Sequence, residues 1–246
     1  MAPADQLVLV DDDGAVRTLT LNRPSRLNAF TADSYGVLAE QLDLADRHED
    51  VHVIVLRGAG RAFCSGVDLD VVNAGALEAT VLRQSFERLV DALTALTTPL
   101  IAAVHGPAVG IGATILLHCD VVLVADGTRL RFPFTSLRTT PEAGSSLLLP
   151  AAVGPQRAAE LLYTARWVDA AEAVALGLAS HRCPPDRLED ETKELAATIA
   201  AQPPAAVAAA KRLLRAGRAD AVREAVRREL HEARHLAEVL GPLGRS

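Results

Sequence analysis

The chain has 246 residues, of which 50% are hydrophobic and 23% charged, with a formal net charge of -6 and three cysteines. That length buries a sizeable core as one large domain, or as one domain with an appendage, and the apolar content excludes a disordered chain. The mildly acidic balance excludes a broad nucleic-acid surface, and the wide spacing of Cys64, Cys119 and Cys183 excludes a disulfide framework or a zinc knuckle.

Leu7 to Val10 is a short apolar run, Asp11-Asp12-Asp13-Gly14 reads as a turn, and Val16 to Leu21 alternates at period two. Together they predict a hairpin. Helical spacing marks Ala32 to Asp46, and Val51 to Leu56 reads as a buried strand. In Leu77 to Leu96, residues Val81, Leu82, Phe86, Leu89, Val90 and Leu93 share one helical stripe. Apolar strands follow at Leu100 to Val104 and Val121 to Val124, with a helix of two turns or fewer between them at Ala113 to His118. Helices are predicted at Gln156 to Ala165 and Asp169 to Leu176, and a last strand at Leu178 to Cys183. After Pro203-Pro204 comes an Ala- and Arg-rich helical tail, striped by Val222, Val226, Leu230, Ala233, Ala237 and Leu240. That stripe either packs on its own domain or docks on another copy. Strands alternating with helices imply an α/β fold with a largely parallel sheet. The expected division is a core over residues 1–195 and a C-terminal helical region over 196–246.

Met1 to Leu9 has no basic region before its apolar run and reads as a mature terminus, and Gly241 to Ser246 carries no address signal. No uninterrupted apolar stretch approaches the roughly 20 residues of a membrane span. The expectation is a reducing, cytoplasmic compartment, without membrane or nucleic-acid partners.

Several motifs invite chemistry. His48-Glu49-Asp50-Val51-His52 has the H-E-x-x-H form of zinc proteases, which requires both rings on one helical face. Here the helix pattern fades at Asp46 and a strand opens at Val51, so a solvated linker is expected. Gly58-Ala59-Gly60-Arg61-Ala62-Phe63 follows a strand but lacks the third glycine of a dinucleotide fingerprint. Cys64-Ser65-Gly66 offers a nucleophile with His105 as a candidate base, without the G-x-S-x-G frame, and a small-residue loop is the plainer reading. Gly106 to Gly112 lets backbone approach a ligand closely, at the start of a helix. Thr140-Pro141-Glu142 reads as a helix start, with Thr140 as cap and Glu142 at the positive end of the dipole.

Four stretches taken together resemble the crotonase (enoyl-CoA hydratase/isomerase) superfamily. They are Leu19-Thr20-Leu21-Asn22-Arg23-Pro24 on to Asn28-Ala29, Leu56 to Leu69, Ile101 to Gly110 with Cys119-Asp120, and Phe132-Pro133-Phe134 on to Pro141-Glu142-Ala143-Gly144-Ser145-Ser146. The resemblance implies a spiral of repeated ββα units closed by C-terminal helices used in trimer or hexamer assembly. It implies an acyl-CoA substrate, with coenzyme A entering as part of that substrate and no metal or redox cofactor. It also implies an oxyanion hole of two backbone N–H groups, which fall by position on Ser65 and Ile111. Familiar hydratases carry Gly at the position of Ile111, and their two glutamates align with Thr114 and Phe134, neither of which is a base. Glu142 aligns instead with the catalytic glutamate of the 3-enoyl-CoA to trans-2-enoyl-CoA isomerases of the peroxisomal type. The implied CoA groove runs along Arg26 and Ala29, then Ala62, Phe63, Ser65, Gly66, Val67, Asp68 and Leu69, with Gly110 beside it. Val72 and the Leu77 to Leu96 helix are expected at the acyl pocket.

Overall fold

The computed structural model describes residues 7–72 and 76–240. The readings of Met1 to Gln6 and of Gly241 to Ser246, and the side chain of Val72, lie outside the described residues. The hairpin forms from Val8–Asp13 (β1) and Val16–Leu21 (β2), paired antiparallel with Asp12 opposite Arg17. Arg17 grips both Asp12 oxygens at 2.7 Å. This cross-strand ion pair keeps the acidic triplet in the strand and leaves only Gly14 and Ala15 for the turn. Helix α1 spans Ala32–Arg47 and opens on a reciprocal cap between Thr31 and Ser34. Beyond it, β3 (Val53–Gly58), β4 (Leu100–Val104), β6 (Val121–Ala125) and β9 (His181–Cys183) complete a six-stranded sheet of order β1-β2-β3-β4-β6-β9. Every pair after the hairpin is parallel.

Both faces of this sheet are covered, as a parallel sheet requires. Ile54, Leu56, Leu100, Ala102, Val104 and Val124 point into the main core, against α1 and α3 (Ala76–Ala95). The alternate residues Val53, Val55, Ile101, Ala103 and Leu123 pack against Leu188 and Ala196 of α8 (Leu188–Ala200). Helix α8 runs straight across the expected boundary at residue 195. Three strands too short to show a period, β5 (Pro107–Val109), β7 (Arg129–Arg131) and β8 (Trp167–Asp169), make a second sheet of order β5-β7-β8.

Short helices α2 (Leu69–Val72) and α4 (Ile111–Thr114) follow the loops after β3 and β5, and α4 continues as a 3-10 turn over Ile115–His118. Helices α5 (Ser145–Val153), α6 (Pro155–Thr164) and α7 (Ala170–Leu176) lead to β9. The chain ends in α9 (Pro204–Leu214) and α10 (Arg218–Leu240). Val222 and Val226 of the α10 stripe are buried in the protein's own core, whereas Ala237 and Leu240 remain exposed. Among the described residues no helix is long and apolar enough to cross a membrane.

Candidate active site

The loops after β3 and β4 leave the carboxyl ends of neighbouring parallel strands, where open α/β sheets place their ligands. Asn28 braces the first loop. It is buried with a φ of +57°, and its Nδ2 donates to the carbonyl oxygens of Ala59 (2.9 Å), Ala62 (2.8 Å) and Phe63 (3.2 Å). Its Oδ1 accepts the Arg23 N–H at 2.9 Å. The following segment is bonded on both edges. Phe63 N–H donates to His105 O at 2.8 Å and Cys64 N–H to Pro107 O at 3.2 Å, while Val109 N–H donates back to Cys64 O at 2.9 Å. On the other edge, Ser65 N–H donates to Leu27 O at 2.9 Å and Asp68 N–H to Phe30 O at 2.8 Å.

Ser65 and Asp68 are three residues apart yet turn their N–H groups to the same neighbour, so the strand alternation breaks once between them. Gly66, with φ of +106°, supplies the break. Val67 is the bridge partner of Phe30, flanked by its two hydrogen bonds, so its own N–H points away from that edge and has no partner among the described residues. The second loop ends at Gly110, whose φ of +55° and ψ of -122° suit glycine alone. Ile111 then opens α4 with its N–H also unpartnered among the described residues. A Cβ built on Gly110 would lie 3.9 Å from the Gly66 Cα and 3.9 Å from the Glu142 Oε1. Two idle amides and one carboxylate therefore surround the same small space.

This geometry corrects the expectation for Ser65. Its N–H is committed to Leu27 O, and the idle donor two residues on is Val67. The Ser65 Oγ donates to Arg26 O at 3.3 Å, while His105 Nε2 lies 2.8 Å from Gly60 O and lines a different cavity. The candidate nucleophile and base do not meet. Ile111 keeps its backbone position because its side chain is fully buried in the main core, away from the amide. Thr114 and Phe134 are buried too.

The helix start expected at Thr140 lies further on. Helix α5 begins at Ser145 behind Gly144, which offers no side-chain cap. Glu142 therefore sits in a loop, ahead of the helix dipole, in a stretch where Arg138, Ala143 and Gly144 all have positive φ. Burial pushes the Glu142 carboxyl up to about 7, and the nearby Glu229 carboxylate adds to the shift. Glu142 keeps partial exposure, because its side chain opens on a cavity of about 330 Å³ whose apolar wall is Leu82 and Phe86 of α3 with Val226 and Leu230 of α10. No hydrogen bond engages its carboxylate among the described residues. A larger cavity of about 770 Å³ lies on the opposite face of the sheet, under α8. Neither Val67 nor Ile111 lines it, so the smaller cavity, lined by Val67 and Glu142, is the candidate site.

The residues of the implied CoA groove divide. Ala62 and Phe63 are buried, and their carbonyl oxygens are taken by Asn28. Ala29 is buried and its carbonyl accepts from Arg23, while Asp68 pairs with Arg23 at 3.0 Å. Gly66 and Gly110 shape the backbone. Arg26, Ser65, Val67 and Leu69 keep accessible surface, Arg26 in an exposed pair with Asp70 at 3.0 Å. His48 and His52 diverge, the first bonded to Asp50 N–H and the second within 3.2 Å of Ala200 O.

Sequence reasoning passed over Glu229. Its signal was present: a charged residue three positions after Val226, on the inward face of the α10 stripe.

A mostly parallel sheet covered by helices, with idle amides after its central strands, defines an α/β crotonase-like fold. The enoyl-CoA hydratase/isomerase family model matches residues 11–239, and the chain belongs to that family of acyl-CoA enzymes. It is 36% identical over 203 residues to the 1,2-epoxyphenylacetyl-CoA isomerase of Escherichia coli K12, covering 80% of this chain and 78% of that one. It is 38% identical over 200 residues to a probable enoyl-CoA hydratase of Rhodobacter capsulatus, covering 81% and 77%. The crystal structure of an enoyl-CoA hydratase/isomerase from Pseudoalteromonas atlantica superposes with a TM-score of 0.87 at 34% identity, covering 94% and 91%.

Proposed function

We propose that this enzyme converts 3-enoyl-CoA to trans-2-enoyl-CoA, with Glu142 as its one base and the N–H groups of Val67 and Ile111 as its oxyanion hole. The observation that carries the reading is the Glu142 carboxylate beside two amides, none of the three hydrogen-bonded among the described residues. Glu142 takes a proton from the α carbon, and the electron pair moves into a dienolate whose charge rests on the thioester oxygen. Two preorganised donors at that oxygen are worth on the order of a hundredfold each. Glu142 then returns the proton to the γ carbon as the double bond moves to the α,β position. Atoms balance without a co-reactant, and one base serves both carbons from one face. A carboxyl near 7 suits this work, because it is substantially ionised at neutral pH yet a stronger base than an ordinary glutamate.

The coenzyme A portion lies along the accessible edge of Arg26, Ser65, Val67 and Leu69, with Arg26 toward a phosphate. The chain assembles as a trimer or a dimer of trimers. Leu213 and Leu214 of α9, 77% and 87% exposed, support burial against another copy. Light scattering of the purified protein reads the assembly state.

The deciding assay supplies 3-enoyl-CoA and, separately, trans-2-enoyl-CoA to the wild type and to Glu142→Gln. Isomerisation of the first, lost in the variant, supports the one-base reading. Hydration of the second is the reading that the name of the Rhodobacter relative favours, and hydration surviving in the variant would refute Glu142 as the base.

A further inference from the structure

A second carboxylate stands behind Glu142 and touches no reacting atom in that scheme. Glu229 lies on the inward face of α10 and is 5% exposed. Its oxygens are divided between two amides of the base loop: Gly144 N–H donates to Oε2 and Ser146 N–H to Oε1, each at 2.8 Å. The Thr140 Oγ1 donates to the backbone oxygen of the same residue at 3.1 Å. Three bonds from one residue thus bracket residues 140–146. Inside the bracket Ala143 and Gly144 hold φ values of +57° and +72°. An alanine there costs on the order of 1 kcal/mol and keeps the conformation only if its surroundings enforce it. His118 holds the opposite side, its Nε2 at 2.8 Å from Ala143 O.

We propose that Glu229 is a positioning residue, which holds the 140–146 loop in its left-handed turn and so aims the Glu142 carboxylate at the two idle amides. The C-terminal helix is then part of the active site, beyond any part it takes in assembly. This inference rests on the one-base reading of Glu142. A mere cap on α5 would use the same bonds, but its loss would lower stability and leave turnover per folded molecule unchanged.

Charge separates the two roles further. The groups packed toward Glu142 are Tyr35 from α1, Cys64 from the loop after β3, Arg83 from α3, Arg138 on its own loop, His118 behind Ala143, and Glu229 with Arg234 from α10. Burial raises the Tyr35 hydroxyl well above its usual range and Cys64 to about 12, and lowers His118 to about 4. Those three stay neutral across a window of roughly pH 5.5–9. Glu142 titrates there, and burial raises the Glu229 carboxyl beside it, whose charge acts on Glu142. Removing the Glu229 charge therefore moves the acid limb of the Glu142 profile to lower pH.

The test compares Glu229→Gln and Glu229→Asp with the exposed control Glu232→Gln. It measures kcat and KM on 3-enoyl-CoA from about pH 5.5 to 9, melting temperature, and amide hydrogen exchange at Gly144 and Ser146. Glu229→Gln is expected to lower kcat about ten- to a hundredfold with KM within about twofold, to move the acid limb down, and to speed exchange at both amides. Glu229→Asp retains the charge at shorter reach, so the limb returns while kcat stays low. The control behaves as wild type. A folded Glu229→Gln with wild-type kcat and an unmoved limb overturns the proposal. If the wild type itself fails to isomerise, the one-base reading falls, and unchanged exchange at Gly144 and Ser146 separately overturns the clamp. Should Glu229→Gln not fold, Glu229→Asp carries the kcat and amide-exchange readouts, and wild-type values of both overturn the proposal.

Discussion

Replacing Glu142 by Gln separates what the proposed base does for chemistry from what it does to the fold. The carboxyl, ordinarily near 4.5, is pushed to about 7, first by burial and then by Glu229. A carboxyl raised on folding favours the folded state while it holds its proton. That contribution is complete below about pH 4.5 and is lost as pH rises through about 7. At roughly 1.4 kcal/mol per tenfold change, the full swing has a ceiling of about 3 kcal/mol. Partial exposure through the cavity brings the expected value to about 1–2 kcal/mol. Glutamine has no such proton to lose. Relative to wild type, the variant should therefore gain about 1–2 kcal/mol between pH 5 and pH 8, or about 2–8 °C for a domain of this size. Paired urea unfolding curves at pH 5, 6, 7 and 8 measure the difference, in which groups that do not interact with residue 142 cancel. The same variant should lose about a hundredfold or more in kcat. A stability difference that stays flat across this range would refute a desolvated Glu142, and with it the reason given for a base near 7.

Gly112→Ala places a Cβ 2.4 Å from Cys64 O and 2.8 Å from the Cys64 Cβ, so α4 must retreat and carry the Ile111 amide with it. The expected result is about 1–3 kcal/mol lost in unfolding experiments and about a hundredfold lower kcat. Asn28→Ala frees three carbonyl oxygens and leaves an alanine at φ of +57°. Chemical denaturation should show a loss of about 2–4 kcal/mol. Ser65→Ala removes only a hydroxyl bonded to Arg26 O, so kcat within about twofold and stability within about 0.5 kcal/mol are expected. A loss of turnover by orders of magnitude would instead reinstate Ser65 as a nucleophile.

The long elements were legible because period and burial agree. Leu100–Val104 reads as an unbroken apolar run and is a strand buried on both faces. Helix α3 follows its stripe to within a residue at each end. The base loop was misread because Thr140-Pro141-Glu142 has the local grammar of a helix start, while the tertiary structure supplies the cap from Glu229, 83 residues beyond Ser146. Local propensity offers no view of a partner that distant. The three-residue strands β5, β7 and β8 were missed for a simpler reason: a period of two needs more residues than they have.

The oxyanion donors expose a deeper limit. Any residue except proline brings an N–H, so side-chain identity carries no record of which amide is idle. What decides it is which neighbouring carbonyls have already claimed the others. Ser65 and Val67 are alike as donors in sequence, yet Leu27 O occupies one and the break at Gly66 turns the other away from that edge. The same indifference explains Ile111. In the proposed hole its amide serves without regard to its side chain, and the core accepts the isoleucine fully buried. A hole built from backbone therefore tolerates drift at its own positions while demanding glycine beside them, at Gly66 and Gly110, where the chain must turn. The base is the opposite case, because a carboxylate cannot be replaced by backbone. The choice among reactions in this family then falls to the few side chains that reach the cavity, and among the described residues the carboxylate there without a hydrogen bond is Glu142.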